Sequence, residues 1–232
     1  MFQVRKAQER GHFNHGWLDT YHTFSFGEYY DPNYEQFRAL RVMNEDVVAP
    51  AMGFGMHGHR DMEILTFILS GSLEHRDSLG NGSALTPGKV QRMSAGSGIR
   101  HSEANPSKTE PVHLYQIWLL PAERGITPSY EEQVFSQEGR RNRWQLVASP
   151  DRAEGSMTIH QDAKVYQAEF EKDAELSREI PAGRHAWLQV MQGSVEVNGV
   201  NLKAGDGVAV SEESRLTVKA EESAAVLLFD LA

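Results

Sequence analysis

Ile64-Leu65-Thr66-Phe67-Ile68-Leu69-Ser70-Gly71-Ser72-Leu73-Glu74-His75 (ILTFILSGSLEH) is a short apolar run, a glycine, and a second short run. The first run is too brief for a stable helix and is rich in residues that favour a pleated surface, so the segment reads as strand, turn, strand. The same grammar recurs in HLYQIWLLP (113–121), RWQLVASP (143–150), AWLQVMQGSVEVNG (186–199) and AAVLLFDL (224–231). Turn signals stand between such runs at Leu79-Gly80-Asn81-Gly82, Pro87-Gly88, Asn198-Gly199 and Ala204-Gly205-Asp206-Gly207. Long helical periodicity is missing, and the spacing predicts an all-β sandwich or barrel.

The opening stretch has a counterpart. Phe67 to Glu74 (FILSGSLE) aligns with Gln189 to Glu196 (QVMQGSVE), and Leu85-Thr86-Pro87-Gly88 with Leu202-Lys203-Ala204-Gly205. Two β domains of one design are therefore expected. The polar interval PAERGITPSYEEQVFSQEGRRN breaks the rhythm and reads as their connection, giving domains at 1–121 and 143–232 and a linker at 122–142.

Composition narrows the function. The chain has 232 residues, 40% hydrophobic and 24% charged, as ordinary folded proteins do. No apolar run approaches the roughly 20 residues that span a bilayer, and MFQVRKAQERGHF lacks the apolar centre of a secretory signal, so a cytoplasmic protein is expected. A net charge of −9 with scattered basic residues argues against nucleic acid as a partner. With no cysteine, any metal site must use histidine and carboxylate. There is no GxSxG elbow, and Gly96-Ser97-Gly98 lacks the third glycine and following helix of a dinucleotide site.

Metal chemistry is the remaining signal. His57 and His59 in GMHGHRDME (55–63) are two apart, so on a strand they point to one face about 6.5 to 7 Å apart. His101 and Glu103 in SAGSGIRHSE (94–103) form a second such pair after a glycine-rich turn. Neither spacing is specific alone; together, three imidazoles and a carboxylate suit one divalent transition metal, iron first, with Mn, Co, Ni, Cu or Zn also fitting. Four ligands would leave positions open for substrate or O₂. Glu63 has the right parity but would lie about 13 Å beyond His59 on a straight strand, so it ranks below Glu103 as a ligand and is alternatively a hydrogen-bond partner orienting a histidine. Neutral imidazole is the ligand form, so metal should be lost on acidification below about 6.5. The aromatic run Trp17 to Tyr30 is either one wall of a pocket for a flat substrate or an edge strand packed into the core, and His113 and Trp118 are expected in the core.

HGHRDME (57–63) and GSGIRHSE (96–103) resemble the two motifs of the cupin superfamily, and most of all the pirin family within it. The likeness continues through Glu74-His75-Arg76-Asp77, Pro87-Gly88 and Leu114-Tyr115-Gln116-Ile117-Trp118, while HGWLDTYHTFSFGEYYDP (15–32) resembles the bacterial branch of quercetin dioxygenases. It covers nearly the whole chain, most strongly up to about residue 121. It implies a bicupin of two antiparallel β-barrels, with His57, His59, His101 and Glu103 as ligands in the amino-terminal one. The mammalian relatives have proline where this chain has Gly58, a departure that bears on metal identity. Aligning the glycines puts Glu179, Pro181, Val218 and Ala220 at the ligand positions of the second barrel, which should be metal-free. The implied activity is ring opening of a flavonol such as quercetin by O₂ with loss of carbon monoxide, Glu103 taking the 3-hydroxyl proton, in a chain expected to be monomeric. The alternative implied by the mammalian relatives is a metal-containing regulatory module that binds a protein partner. A sugar-phosphate isomerase would want a basic cluster, which is missing.

Overall fold

A computed structural model of the chain describes residues Met1–Ala232. It divides into two compact units: an amino-terminal unit of Gly11–Val134 with Ile159–Gln161, and a carboxy-terminal unit of Phe135–Thr158 and Asp162–Ala232 with Met1–Arg10. The chain is almost entirely β; its one α-helix is Gln137–Arg140, and no helix is long and apolar enough to cross a membrane.

Each unit consists of a seven-stranded and a four-stranded sheet that face each other across a core, so the expected barrels are realised as two sheets without a continuous hydrogen-bonded cylinder. In the amino-terminal unit the large sheet runs Ser129–Val134, Lys89–Ser94, Glu63–Ser70, Val112–Leu119, Leu40–Val48, Leu18–His22, Gly11–Asn14. The small sheet runs Gly53–His59, Ile99–Ala104, Leu73–Asp77, Gly82–Leu85. The carboxy-terminal unit repeats this order with Phe2–Arg5 at the edge, then Gly207–Ser211, His185–Gln192, Ala224–Leu231, Ala163–Phe170, Gln145–Ser149 and Met157–Thr158, over a small sheet of Glu175–Glu179, Arg215–Ala220, Ser194–Val197 and Val200–Lys203.

The expected duplication is visible in atomic detail at the glycine that opened the sequence comparison. Gly71 has φ +79° and a Cβ there would lie 2.5 Å from the Pro111 carbonyl oxygen; Gly193 has φ +72° and would meet the Ser223 oxygen at 2.1 Å. Both positions need glycine for conformation and for space. The domain limits differ from the sequence expectation at the edge strands. Phe2–Arg5 pairs with Gly207–Ser211, far along the chain, and Ser129–Val134, inside the expected linker, pairs with Lys89–Ser94. Each closes a sheet edge that would otherwise expose a ladder of unpaired backbone groups.

One rung separates the two halves chemically. Across the large sheet of the amino-terminal unit, Gln91, Thr66, Gln116, Asn44 and His22 stand opposite one another. The matching rung of the carboxy-terminal unit is Val208, Leu188, Leu228, Tyr166 and Leu146, all within its apolar core. The first unit keeps polar groups where the second fills space with hydrocarbon.

Candidate metal centre

The strand Gly53–His59 pairs antiparallel with Ile99–Ala104, with His101 opposite His57 and Ile99 opposite His59. Between His101 and Glu103 the register slips, so that Glu103 faces Phe54. The extra residue is a bulge in Gly53–His59, and it puts Phe54 and His57 on the same inner face although they are three apart in sequence. Gly58 is not demanded by space, since a Cβ there would make only ordinary contact, 3.7 Å from the Ile99 oxygen.

Three of the four expected ligands converge. The ligand nitrogens of His57, His59 and His101 all lie within 4.8 Å of one another, and His59 Nε2 is 2.9 Å from His101 Nε2. Glu103 stands in an overlapping group, within the same distance of His75 and His101. Its Oε2 accepts from Gln116 Nε2 at 2.9 Å, while Oε1 is buried without a partner. Burial, with a smaller push from His57, lowers His59 to about 4, and burial with the neighbouring histidines lowers His101 to about 3. Burial also raises Glu103 to about 7, against the Gln116 hydrogen bond and with help from Asp46. Neutral imidazoles and an unpaired buried carboxylate oxygen are the donor set a divalent transition metal takes, so the residues fit one.

Further side chains hold the ring planes. His57 Nδ1 lies 2.8 Å from the Gly55 oxygen, which accepts its proton and leaves Nε2 with a lone pair. Behind His101, and away from the cavity, stand His75, whose Nδ1 is 3.4 Å from His101 Nδ1, and Asp77, whose Oδ2 is 3.2 Å from His75 Nε2. These two occur in the EHRD segment of the sequence, yet nothing in their spacing gives them this place. Register does: His101 faces Asp77 and Glu103 faces His75 across the ladder.

The centre opens onto a cavity of about 670 Å³ whose lining includes His57, His59, Glu103, Gln116 and Trp118. Such a volume is in the range that holds a small-molecule ligand. Trp118 packs edge-on against His59 (4.8 Å between centroids) and against Phe26 (5.4 Å), so it is a cavity wall where the sequence placed it in the core. His113 instead pairs with Glu45 at 2.9 Å. The aromatic run divides between both readings. His15, His22 and Phe26 line the cavity, Phe24 is core, and Tyr30 is exposed.

Asn44 and Asp46 also line the cavity, and sequence reasoning missed both. They are nine-tenths or more buried, and each keeps an oxygen with no partner. Burial raises Asp46 to about 6, against a hydrogen bond from Thr20.

Glu63 lies elsewhere. It is fully buried, accepts from Ser94 Oγ at 2.9 Å and from the His160 backbone N–H at 3.2 Å, and has His160 Nδ1 3.3 Å from Oε1. It orients His160, not one of the clustered histidines. In the carboxy-terminal unit, Val218 faces Val197 where Glu103 faces His75, so the strand register sets the matching positions two residues from those the sequence alignment chose. Val218 and Val197, both aliphatic, thus stand where Glu103 and His75 stand in the amino-terminal unit.

Comparison with known proteins agrees with this architecture. The pirin family model matches residues 3–119, and the model described as the quercetinase C-terminal cupin domain matches residues 146–231. A quercetin 2,3-dioxygenase of Escherichia coli K12 is 52% identical, over 100% of this chain and 99% of its own length. A pirin-like protein of Caulobacter vibrioides is 41% identical, with 100% of both chains covered. Among solved structures, Escherichia coli YhhW superposes with a TM-score of 0.97 at 51% identity, covering 100% of this chain and 98% of that one. The bacterial pirin YhhW in complex with nickel(II) superposes with a TM-score of 0.95 at 52% identity, covering 100% and 99%. Fold, duplicated halves and full-length similarity converge on one assignment: the chain belongs to the pirin family of the cupin superfamily.

Proposed function

We propose that the protein is a metal-dependent dioxygenase that opens the ring of a flavonol such as quercetin, with His57, His59, His101 and Glu103 holding one divalent transition metal. The observation that carries the reading is the position of the histidine cluster and Glu103 at a cavity with aromatic walls. The relatives named quercetin 2,3-dioxygenase and the nickel(II) complex of YhhW support it.

A bound metal would supply Lewis-acid stabilisation of a phenolate oxygen and a site for redox chemistry with O₂. The chain's own residues do the rest. Glu103, held at Oε2 by Gln116 and unpaired at Oε1, is the group placed to take the proton of the flavonol hydroxyl. Trp118, Phe26 and Phe54 flank a flat ring and keep water from it. Asn44 and Asp46 offer acceptors to hydroxyl groups elsewhere on the ligand.

The test is quercetin-dependent O₂ consumption with carbon monoxide release by the metal-loaded protein, beside Glu103→Gln. Uptake that is saturable in quercetin and at least 100-fold lower in the variant is expected, in line with the usual worth of a positioned general base of about 10²–10⁴. Tight metal binding with no O₂ uptake on any flavonol would overturn the enzyme and leave a metal-containing binding module.

A further inference from the structure

We infer that Asp77 and His75 act together as a positioning pair that fixes which nitrogen of His101 faces the metal. The inference rests on the metal site proposed above. It begins at Asp77, whose side chain is fully buried. Oδ1 accepts the backbone N–H of Leu79 at 2.9 Å and of Asn81 at 3.0 Å, and Oδ2 accepts Asn81 Nδ2 at 2.9 Å. A carboxylate so surrounded is an acceptor at both oxygens, so its remaining partner, His75 Nε2 at 3.2 Å, carries the hydrogen.

The rest follows by exclusion. A neutral imidazole has one donor and one acceptor, so His75 Nδ1 holds a lone pair and must receive a hydrogen from His101 Nδ1 at 3.4 Å. His101 Nε2 is then left with its lone pair directed at His59 and His57. Had His101 the opposite tautomer, two lone pairs would face each other behind it and a hydrogen would cap its ligand atom in front.

The pair is built to hold this state. The His75 ring stacks on Tyr130 (4.7 Å, 20° between planes), and Tyr130 donates to Glu132 Oε2 at 2.9 Å, so the ring cannot swing away. His75 is buried and does not line the cavity that His57, His59 and Glu103 reach, which suits a residue acting through another.

Asp77→Asn is the informative substitution. Its amide oxygen can keep the backbone N–H contacts of Leu79 and Asn81, while its NH₂ group would give up the Asn81 Nδ2 bond, donate to His75 and reverse both tautomers in turn. His75→Phe keeps the stack on Tyr130 and removes both nitrogens. Nickel(II) affinity of the full chain, measured by titration against a competing chelator, is expected to fall about 10- to 100-fold in either variant, the usual cost of losing a partner that orients a metal-bound histidine. Thermal unfolding should stay cooperative. The second readout needs no metal: long-range ¹H–¹⁵N correlation of metal-free wild type should show His101 protonated at Nδ1, and Asp77→Asn should move the proton to Nε2. Protonation of His101 at Nε2 in the wild type would overturn the inference, whether or not the variants fold. So would unchanged nickel affinity in both variants, or X-ray absorption showing one nitrogen ligand fewer in His75→Phe, which would make His75 a ligand itself. Failure of wild type to bind nickel through His57 and His101 would instead remove the metal site and leave the tautomer result standing.

Discussion

His59 and His101 lie 42 residues apart in the chain, and their Nε2 atoms are 2.9 Å apart. Two neutral imidazoles can meet this closely only if one donates to the other, and a cation placed between them takes the acceptor's lone pair and requires the donor's hydrogen to move to its other ring nitrogen. Burial pushes both pKa values well below the ordinary 6.5, so the pair stays neutral through the physiological range.

That finding moves the expected pH dependence of metal binding. The sequence pointed to histidine protonation near 6.5, but His59 and His101 stay neutral down to about 4 and about 3, while Glu103 is raised to about 7. Below pH 7 a proton must leave Glu103 before it can bind a cation. Deprotonation of Glu103 should therefore raise affinity as much as about tenfold per pH unit up to about 7, contributing about one proton released per metal at pH 6 and almost none at pH 8. Calorimetry in buffers of different ionisation enthalpy measures this, and Glu103→Gln should lower the release at pH 6 by that one proton.

The same shift has a stability consequence for the metal-free protein. The folded value of Glu103 lies above its ordinary 4.5, so the stabilisation is complete below pH 4.5 and is lost as pH rises through about 7. The difference is on the order of 3 kcal/mol. Chelator-treated wild type should unfold at lower denaturant at pH 8 than at pH 5, relative to Glu103→Gln. The same midpoint difference in both proteins would contradict it.

Asn44 and Asp46 carry unpaired buried oxygens at the cavity. If these receive ligand hydroxyls, Asn44→Leu should raise KM for quercetin about threefold to tenfold, one hydrogen bond's worth, and raise it less for a flavonol with fewer hydroxyl groups. An equal rise for both ligands would mean that the substitution merely narrows the cavity.

Glu63 is tied to His160 and Ser94. Glu63→Gln should accordingly leave metal content at the wild-type level, which elemental analysis checks. Loss of the metal would restore Glu63 as a ligand.

Gly193 and Gly199 separate space from conformation. Both have positive φ, but a Cβ at Gly199 meets nothing within 4 Å, whereas one at Gly193 meets the Ser223 oxygen at 2.1 Å. Gly199→Ala should cost about 1–2 kcal/mol, the conformational strain alone, and Gly193→Ala clearly more, in denaturant unfolding.

The candidate ligands were legible because strand parity is local: His57 with His59, and His101 with Glu103, share a face by spacing alone. Gly71 and Gly193 made the duplication legible for a similar reason. What escaped depended on pairing between distant segments. Phe2–Arg5 and Ser129–Val134 are short, partly polar edge strands whose partners no local pattern names. Asn44 and Asp46 lie in RVMNEDVV, where three consecutive polar residues give no sign of which turn inward, and only the opposing sheet makes them interior. Glu63 ranked below Glu103 on straight-strand distance, and it does stand apart from the cluster, but because the chain turns at Asp61 (φ +51°) and carries it to the other sheet, where it meets a histidine no local pattern names.

The most direct test of the proposed metal-dependent dioxygenase activity is metal content, measured with quercetin-dependent O₂ uptake, in wild type and His57→Ala/His101→Ala purified side by side under anaerobic and aerobic conditions. About one metal per chain in wild type, lost in the double variant together with O₂ uptake, is the predicted result. Wild-type metal content and O₂ uptake in the double variant would contradict the account.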